Sequence, residues 1–219
     1  MTQQEIAGNS PGIVLFPQFR QEIYDMYREE LEGLSDEQLD FESDKWGWSE
    51  WSIRRNLSHV ASGDFRWLLL RWGENLFADG LPEIDDWEGI IESPYDRRLD
   101  EDKYWEVDSI FAVLRKSLDF ACSVLESETV DSMRSRELRS SVSGQLHWLN
   151  AHPSGVREEP DDPPWGYITL EATFRHRYFE YLTHLYNIQR LKKAQGLEAR
   201  VDIPFVGYHA LSDWDRSEP

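Results

Sequence analysis

Along much of the chain, apolar side chains recur every three or four positions, the period of a helix with one buried face. Between about Ile13 and Leu34 the recurring positions are Phe16, Phe19, Ile23, Met26, Tyr27 and Leu31, and Gly33 follows as a stop. Ser35-Asp36-Glu37-Gln38 has the spacing of a capping box and predicts a short helical turn before the irregular Trp46-Gly47-Trp48 stretch. A second helix is expected from a cap at Ser49 to about Leu76, with Ile53, Leu57, Val60, Trp67 and Leu68 facing inward and His59 at the edge of that arc. The third runs from about Val107 to Glu126 on a clear apolar stripe that includes Ile110, Leu114, Leu118 and Leu125. Thr169 caps the last helix, which extends to Ala194 and stops at Gly196. Its inner stripe is Leu170, Phe174, Tyr181, Leu185, Ile188 and Leu191, with His184 near the centre.

The connections lack this period. From Ala78 to about Lys103 the chain holds Gly80, Pro82, Pro94 and many acids, which reads as a loop with room for a helical turn. Its acidic part, Leu81 to Asp102, reads by default as a solvated insertion. The Pro160 to Pro164 cluster excludes a continuous helix there, and Leu138 to Leu149 fits either a strand pair or a short helix. Four long amphipathic helices with one or two long connections predict an all-α four-helix bundle, a fold that builds metal sites from side chains on facing helices. The expected division is residues 1–196 for the bundle and 197–219 for an extended C-terminal tail packed on it.

Length and charge narrow the function. The 219 residues suit one well-cored domain. A formal charge of −19 argues against nucleic acid, which requires a basic patch, and against anionic membrane surfaces. There is no apolar run of the roughly 20 residues needed to span a bilayer, and no basic and apolar leader at the N-terminus, so the chain reads as cytoplasmic. The single cysteine, Cys122, excludes an internal disulfide framework and a multi-cysteine zinc site, and reads as a small buried hydrophobe. Ten tryptophans suggest a core and pocket walled by large rings. Three of them, Trp46, Trp48 and Trp51, read as a plug at one end of the bundle or as a pocket rim.

Candidate chemistry centres on three residues. Glu180 and His184 lie four apart on one helix face and can grip one ion together, and His59 on another helix could complete a set of two imidazoles and one carboxylate. Three protein ligands leave positions open, where water or a thiol becomes a nucleophile at neutral pH. Asn56 and Gly63, about one turn to either side of His59, leave room for a small cavity. Each residue also has a plainer reading. A lone histidine on an apolar face is more often a hydrogen-bonded core residue than a ligand. Glu180 has Arg177 as a rival partner, and an ion pair is favoured for Arg177 over a clamp on an anionic substrate. His176 extends the register, yet eight residues of helix rise about 12 Å, too far for it to share one ion with His184, so it reads as a surface or supporting group. His147, His152 and His209 lie in irregular segments and read as structural or exposed.

The run Trp51-Ser52-Ile53-Arg54-Arg55-Asn56-Leu57-Ser58-His59-Val60 resembles the second-helix signature of the DinB/YfiT-like superfamily. Glu180-Tyr181-Leu182-Thr183-His184-Leu185-Tyr186-Asn187-Ile188 resembles its final motif, where His-x-x-x-His is usually followed by Arg-Gly-Gln-Ile or similar. The resemblance covers about residues 10 to 196. Two positions depart from the pattern: Glu180 replaces the leading histidine, as in the mycothiol-dependent maleylpyruvate isomerase branch with its His, Glu, His zinc set, and Asn187 replaces the usual glutamine. The resemblance implies a DinB/YfiT-like four-helix bundle with long loops, and a divalent metal on His59, Glu180 and His184. Zinc comes first, with nickel, iron or manganese as alternatives. It further implies a metal-dependent enzyme acting on a small-molecule substrate. A low-molecular-weight thiol at the metal, the branch the resemblance favours, would make an S-transferase or isomerase, with Arg177 or Asn187 positioning the substrate, and water would make a hydrolase. The superfamily also contains members with degenerate sites, so the rival expectation is a non-catalytic bundle, with a homodimer as one form of it, and a structural or vestigial metal site. A DNA-binding role, suggested by the superfamily's name, conflicts with the charge.

Overall fold

The computed structural model describes residues 6–142, 147–162 and 164–219. Four long helices form the bundle: α1 (Glu22–Leu31), α2 (Ile53–Phe65), α3 (Val107–Ser127) and α4 (Leu170–Ala194). α2 is the central element, packed against both α3 and α4. The core where they meet holds Ile53, Leu57 and Val60 from α2, Leu114 and Leu118 from α3, and Tyr181, Leu185 and Ile188 from α4. The architecture is the all-α bundle that the hydrophobic period predicted.

Two element starts differ from that prediction. The first helix does not begin near Ile13, because Pro17 has no N–H to give and its ring crowds the carbonyl four residues back. Two 3₁₀ turns, Gly12–Val14 and Pro17–Phe19, precede α1 instead. The cap of α2 is Ser52, whose Oγ accepts from the Arg55 N–H at 3.2 Å. Ser49 lies in a 3₁₀ turn, Gly47–Ser49, where its hydroxyl donates to the carbonyls of Ser43 and Trp46. The capping box at Ser35 forms as expected, with Ser35 Oγ accepting from Gln38 N and Gln38 Oε1 accepting from Ser35 N.

Beyond Phe65, α2 changes hydrogen-bonding pattern. Residues Arg66–Arg71 form a π-helical turn, followed by a short α-helix at Gly73–Leu76. A π turn closes i→i+5 bonds and is wider than an α turn, so side chains four and five positions apart come to share a face. That re-aims Arg66, Trp67, Leu70 and Arg71 together.

The connection from α3 to α4 carries a short helix, Val130–Ser135, and a three-stranded antiparallel sheet of order β1-β3-β2, with β1 at Glu137–Ser141, β2 at Val156–Glu158 and β3 at Trp165–Thr169. The segment Leu138 to Leu149 contributes both to a strand and to a short helix, Trp148–Ala151, while 143–146 lie outside the described residues. β3 runs straight into α4, and Thr169 ends the strand and caps the helix by accepting from Ala172 N. At the other end of α4, Gly196 takes φ +74°, Leu197 N donates to Lys192 O and Gly196 N donates to Lys193 O, the paired bonds of a Schellman stop. The tail then returns along α4: Arg190 donates to the carbonyls of Asp215 and Ser217, and Tyr208 is buried against the bundle. No helix among the described residues is long and apolar enough to cross a membrane.

Candidate functional site

His59, Glu180 and His184 meet where α2 faces α4. The His59 Nδ1 lies 2.9 Å from the carbonyl oxygen of Arg97, which can only accept, so the ring proton sits on Nδ1. Asn56 donates from Nδ2 to the carbonyls of Trp51 and Ser52, which turns its Oδ1 toward His184 Nδ1 at 2.7 Å and places that ring's proton on Nδ1 as well. Both Nε2 atoms keep a bare lone pair with no hydrogen-bond partner among the described residues. The two rings lie 4.5 Å apart, centroid to centroid, and Trp51 covers both. Burial lowers the His59 pKa to about 4 and, together with the neighbouring His59, holds His184 well below the ordinary imidazole value. Both rings are neutral at pH 7.

Arg97 is the only non-glycine with positive φ among the described residues, at +54°. Such a backbone costs of order 1–3 kcal/mol and persists where its surroundings demand it. Here its carbonyl accepts from both His59 and, at 3.2 Å, the hydroxyl of Ser62. The same loop anchors on α2 again through Leu99 N donating to Ser58 Oγ. The acidic stretch read as a solvated insertion is therefore, at residues 97 to 99, a support for His59. Sequence carried no signal for this.

The Glu180 carboxylate lies between two histidines and an arginine. Its Oε2 is 4.0 Å from His59 Nε2, its Oε1 is 3.7 Å from His176 Nε2, and Arg177 Nη1 donates to Oε2. Burial alone would raise the pKa of this carboxyl, but His176, Arg177 and His59 outweigh it and hold the group well below the usual carboxylate range. Arg177 is itself fully buried, with Nε donating to Asp64 Oδ1 at 2.7 Å, while the Tyr181 hydroxyl donates to Asp64 Oδ2 at 2.8 Å. A Cβ at position 63 would lie 1.9 Å from Arg177 Nη2, so the room that Gly63 leaves is taken by the guanidinium. Arg177 makes the ion pair that its inward position allowed, with Asp64 and Glu180.

His176 is not on the surface. It is buried between Trp67 and Trp148, its Nδ1 lies 2.5 Å from the hydroxyl of Tyr208, and His152 Nε2 lies 2.9 Å from that same hydroxyl. Tyr208, in the tail, thus bridges two buried histidines. The four-residue spacing from His176 to Glu180 was the available signal for the first contact, whereas nothing local linked residue 208 to either histidine. His152 and His209 are buried and His147 is half-buried. Asn187 lines a recess that it shares with Trp48, Trp51, Asn56, Arg97 and His184, and its Oδ1 accepts from Arg190.

A cavity of about 220 Å³ is lined in part by His59, His176, Arg177 and Glu180, and His184 does not line it. Among the described residues no group of three or more His, Cys, Asp or Glu side chains is arranged to hold a metal ion. The chemistry of the donors still fits one: two neutral imidazoles with bare Nε2, each fixed through Nδ1 as metal-binding histidines are, and one ionised carboxylate. The guanidinium of Arg177 is what engages that carboxylate in their place.

No protein-family model matches the chain, and no curated protein matches it. Among solved structures it is similar to YfiT from Bacillus subtilis, described as a probable metal-dependent hydrolase with an unusual four-helix bundle topology. The TM-score is 0.54 and the identity 15%, over 90% of this chain and 94% of that one. At that identity the likeness shows the fold: a YfiT-like four-helix bundle, as the two sequence motifs implied.

Proposed function

We propose that this protein is a metal-dependent enzyme in which His59, Glu180 and His184 hold a divalent ion, and that the cavity beside His59 admits the substrate. The observation that carries this reading is the pair of neutral imidazoles with bare Nε2 atoms beside an ionised carboxylate. A structural histidine pair has no need of two free lone pairs. An ion held there supplies the Lewis acidity that turns water or a small thiol into a nucleophile near neutral pH. Zinc is the first choice for two imidazoles and a carboxylate, and nickel, iron and manganese accept the same set. His59 and His184 arrive pre-oriented by Arg97 and Asn56, while Glu180 must be shared with or released by Arg177 as the ion enters.

Between the two nucleophiles, hydrolysis is the better supported. A solved protein with this fold, YfiT from Bacillus subtilis, is described as a probable metal-dependent hydrolase. The thiol-transfer branch gives Arg177 or Asn187 the task of positioning a substrate; Arg177 is taken up by Asp64 and Glu180, whereas Asn187 lines a recess together with His184. The rival reading, a non-catalytic bundle with a vestigial site, draws its support from the Arg177–Glu180 pair.

Metal content by plasma mass spectrometry, on protein purified without an affinity tag, decides between them. About one equivalent per chain is expected in the wild type, falling close to zero in His59→Ala, Glu180→Ala and His184→Ala. Absence of bound metal in the wild type after reconstitution with zinc, nickel and manganese would leave the non-catalytic reading standing.

A further inference from the structure

In a chain of net charge −19, the cavity beside His59 is lined by four arginines, Arg66, Arg71, Arg97 and Arg177, against the single carboxylate of Glu180. Arg177 and Arg97 are neutralised locally, by Asp64 and Glu180 and by Asp96. Arg66 and Arg71 have no carboxylate partner among the described residues. Arg66 is half-buried, its Nη2 donates only to the Arg98 carbonyl at 3.2 Å, and its Nε is enclosed without a partner. Arg71 also lines the cavity but is solvent-exposed, with its guanidinium 4.0 Å over the ring of Trp67.

Unpaired guanidiniums gathered around one hollow repel each other, and the partial enclosure of Arg66 from water aggravates this. A protein with 42 acidic residues has ample means to pair them and leaves these two open. The π-helical turn that follows α2 brings them there: Arg66, Trp67, Leu70 and Arg71 all line the cavity, and the wider winding gives them a common face. Trp67, Leu70 and Trp148 supply an apolar wall beside the two charges. The volume lies below the roughly 300–1,000 Å³ usual for pockets of drug-sized ligands, which fits a single small metabolite and no polymer.

We propose that the cavity binds a small organic anion, with a carboxylate or phosphoryl group taken by Arg66 and Arg71 and an apolar body laid against Trp67, Leu70 and Trp148. Guanidinium forks match both anions geometrically, so the two are one chemistry here. The inference rests on the proposed enzymatic reading only in making this anion the substrate of that site. The binding itself needs no metal.

The test is a tryptophan-fluorescence and calorimetric titration of the full chain with phenyl phosphate, benzoate, benzyl alcohol and inorganic phosphate, in chelator and again with zinc. Phenyl phosphate or benzoate should bind at least about tenfold tighter than benzyl alcohol, and phenyl phosphate tighter than inorganic phosphate. Which anion binds better tells phosphoryl from carboxylate. Arg71→Gln and Arg66→Gln should each weaken the anions about tenfold, with Arg71→Lys recovering part of the loss and His184→Ala leaving chelator-phase binding intact. Equal affinity for the alcohol, equal affinity for inorganic phosphate, no anion binding, or unchanged affinity in both glutamine variants would each overturn the proposal. Binding that appears only with zinc and vanishes in His184→Ala, indifferent to the arginines, would overturn it while supporting the metal. Arginine-dependent binding by a protein that never retains metal would sustain it and sink the metal reading.

Discussion

Helix α4 carries two buried ion clusters, and they differ in how completely they are satisfied. Near its C-terminal end Lys192 meets Glu30, both almost wholly enclosed. Lys192 Nζ donates to the Glu30 carboxylate and to its backbone carbonyl, while Gln189 Nε2, Arg200 N and Val201 N donate to the same carboxylate. No lone pair there is left over for anything else. Some fifteen residues earlier, Arg177 Nη2 has no partner, His59 and His184 keep bare Nε2 atoms, and Glu180 borders a cavity. Burial of charge is common to both, so it does not mark function; incomplete satisfaction beside an open volume does.

Removing one partner from each cluster breaks the comparison most strongly. Lys192→Met leaves Glu30 as an unpaired buried charge and should cost about 3–5 kcal/mol in denaturant unfolding, with metal content unchanged. Arg177→Gln strands Asp64 in the same way and should cost a similar amount. It also frees Glu180, so the surviving folded protein should take up zinc more tightly than wild type in a chelator competition. A loss of zinc affinity in Arg177→Gln would contradict the role given to Glu180.

Acid separates the two clusters less violently. Burial lowers His59 and His176 to about 4, with Glu180 acting in opposition, and lowers His152 to about 3. A histidine depressed in the fold stays neutral there but takes a proton when unfolded below pH 6.5, so its contribution is whole above that pH and is lost as pH falls toward 4. Metal-free protein should lose roughly 1.4 kcal/mol per pH unit for each such histidine across that window. Glu180, held low, adds its own loss only once pH drops below the ordinary carboxylate value. Thermal unfolding between pH 7.5 and 5 measures the slope, and His59→Ala should flatten it.

The smallest effect tests the scaffold alone. Ser52→Ala removes the cap of α2 and should cost about 1 kcal/mol without changing zinc stoichiometry. A loss of metal in that variant would mean that the cap positions His59, an outcome the tight packing of Leu57 and Val60 argues against.

The helices were legible wherever a signal is local. α3 and α4 fall within a residue or so of the expected limits, because an apolar stripe, a Thr169 cap and a Gly196 stop are all short-range. The same period placed His59, Glu180 and His184 on faces that do meet. The π turn was not legible, since Arg66–Arg71 continues an apolar pattern that α-helix and π-helix share. The Arg97 carbonyl on His59 and the Tyr208 hydroxyl on His176 join residues 38 and 32 apart, across loops with no period to read.

By itself, then, the sequence determined four amphipathic helices, the bundle they form and the inward positions of two histidines and a glutamate. These follow from burial periodicity and capping, which act over a few residues at a time. The tertiary structure decided which ring nitrogens are bare, that Arg177 holds Glu180, and that two arginines are left facing a cavity without partners. Each of these depends on which distant donor or acceptor reaches a given atom, and only the packed chain sets that.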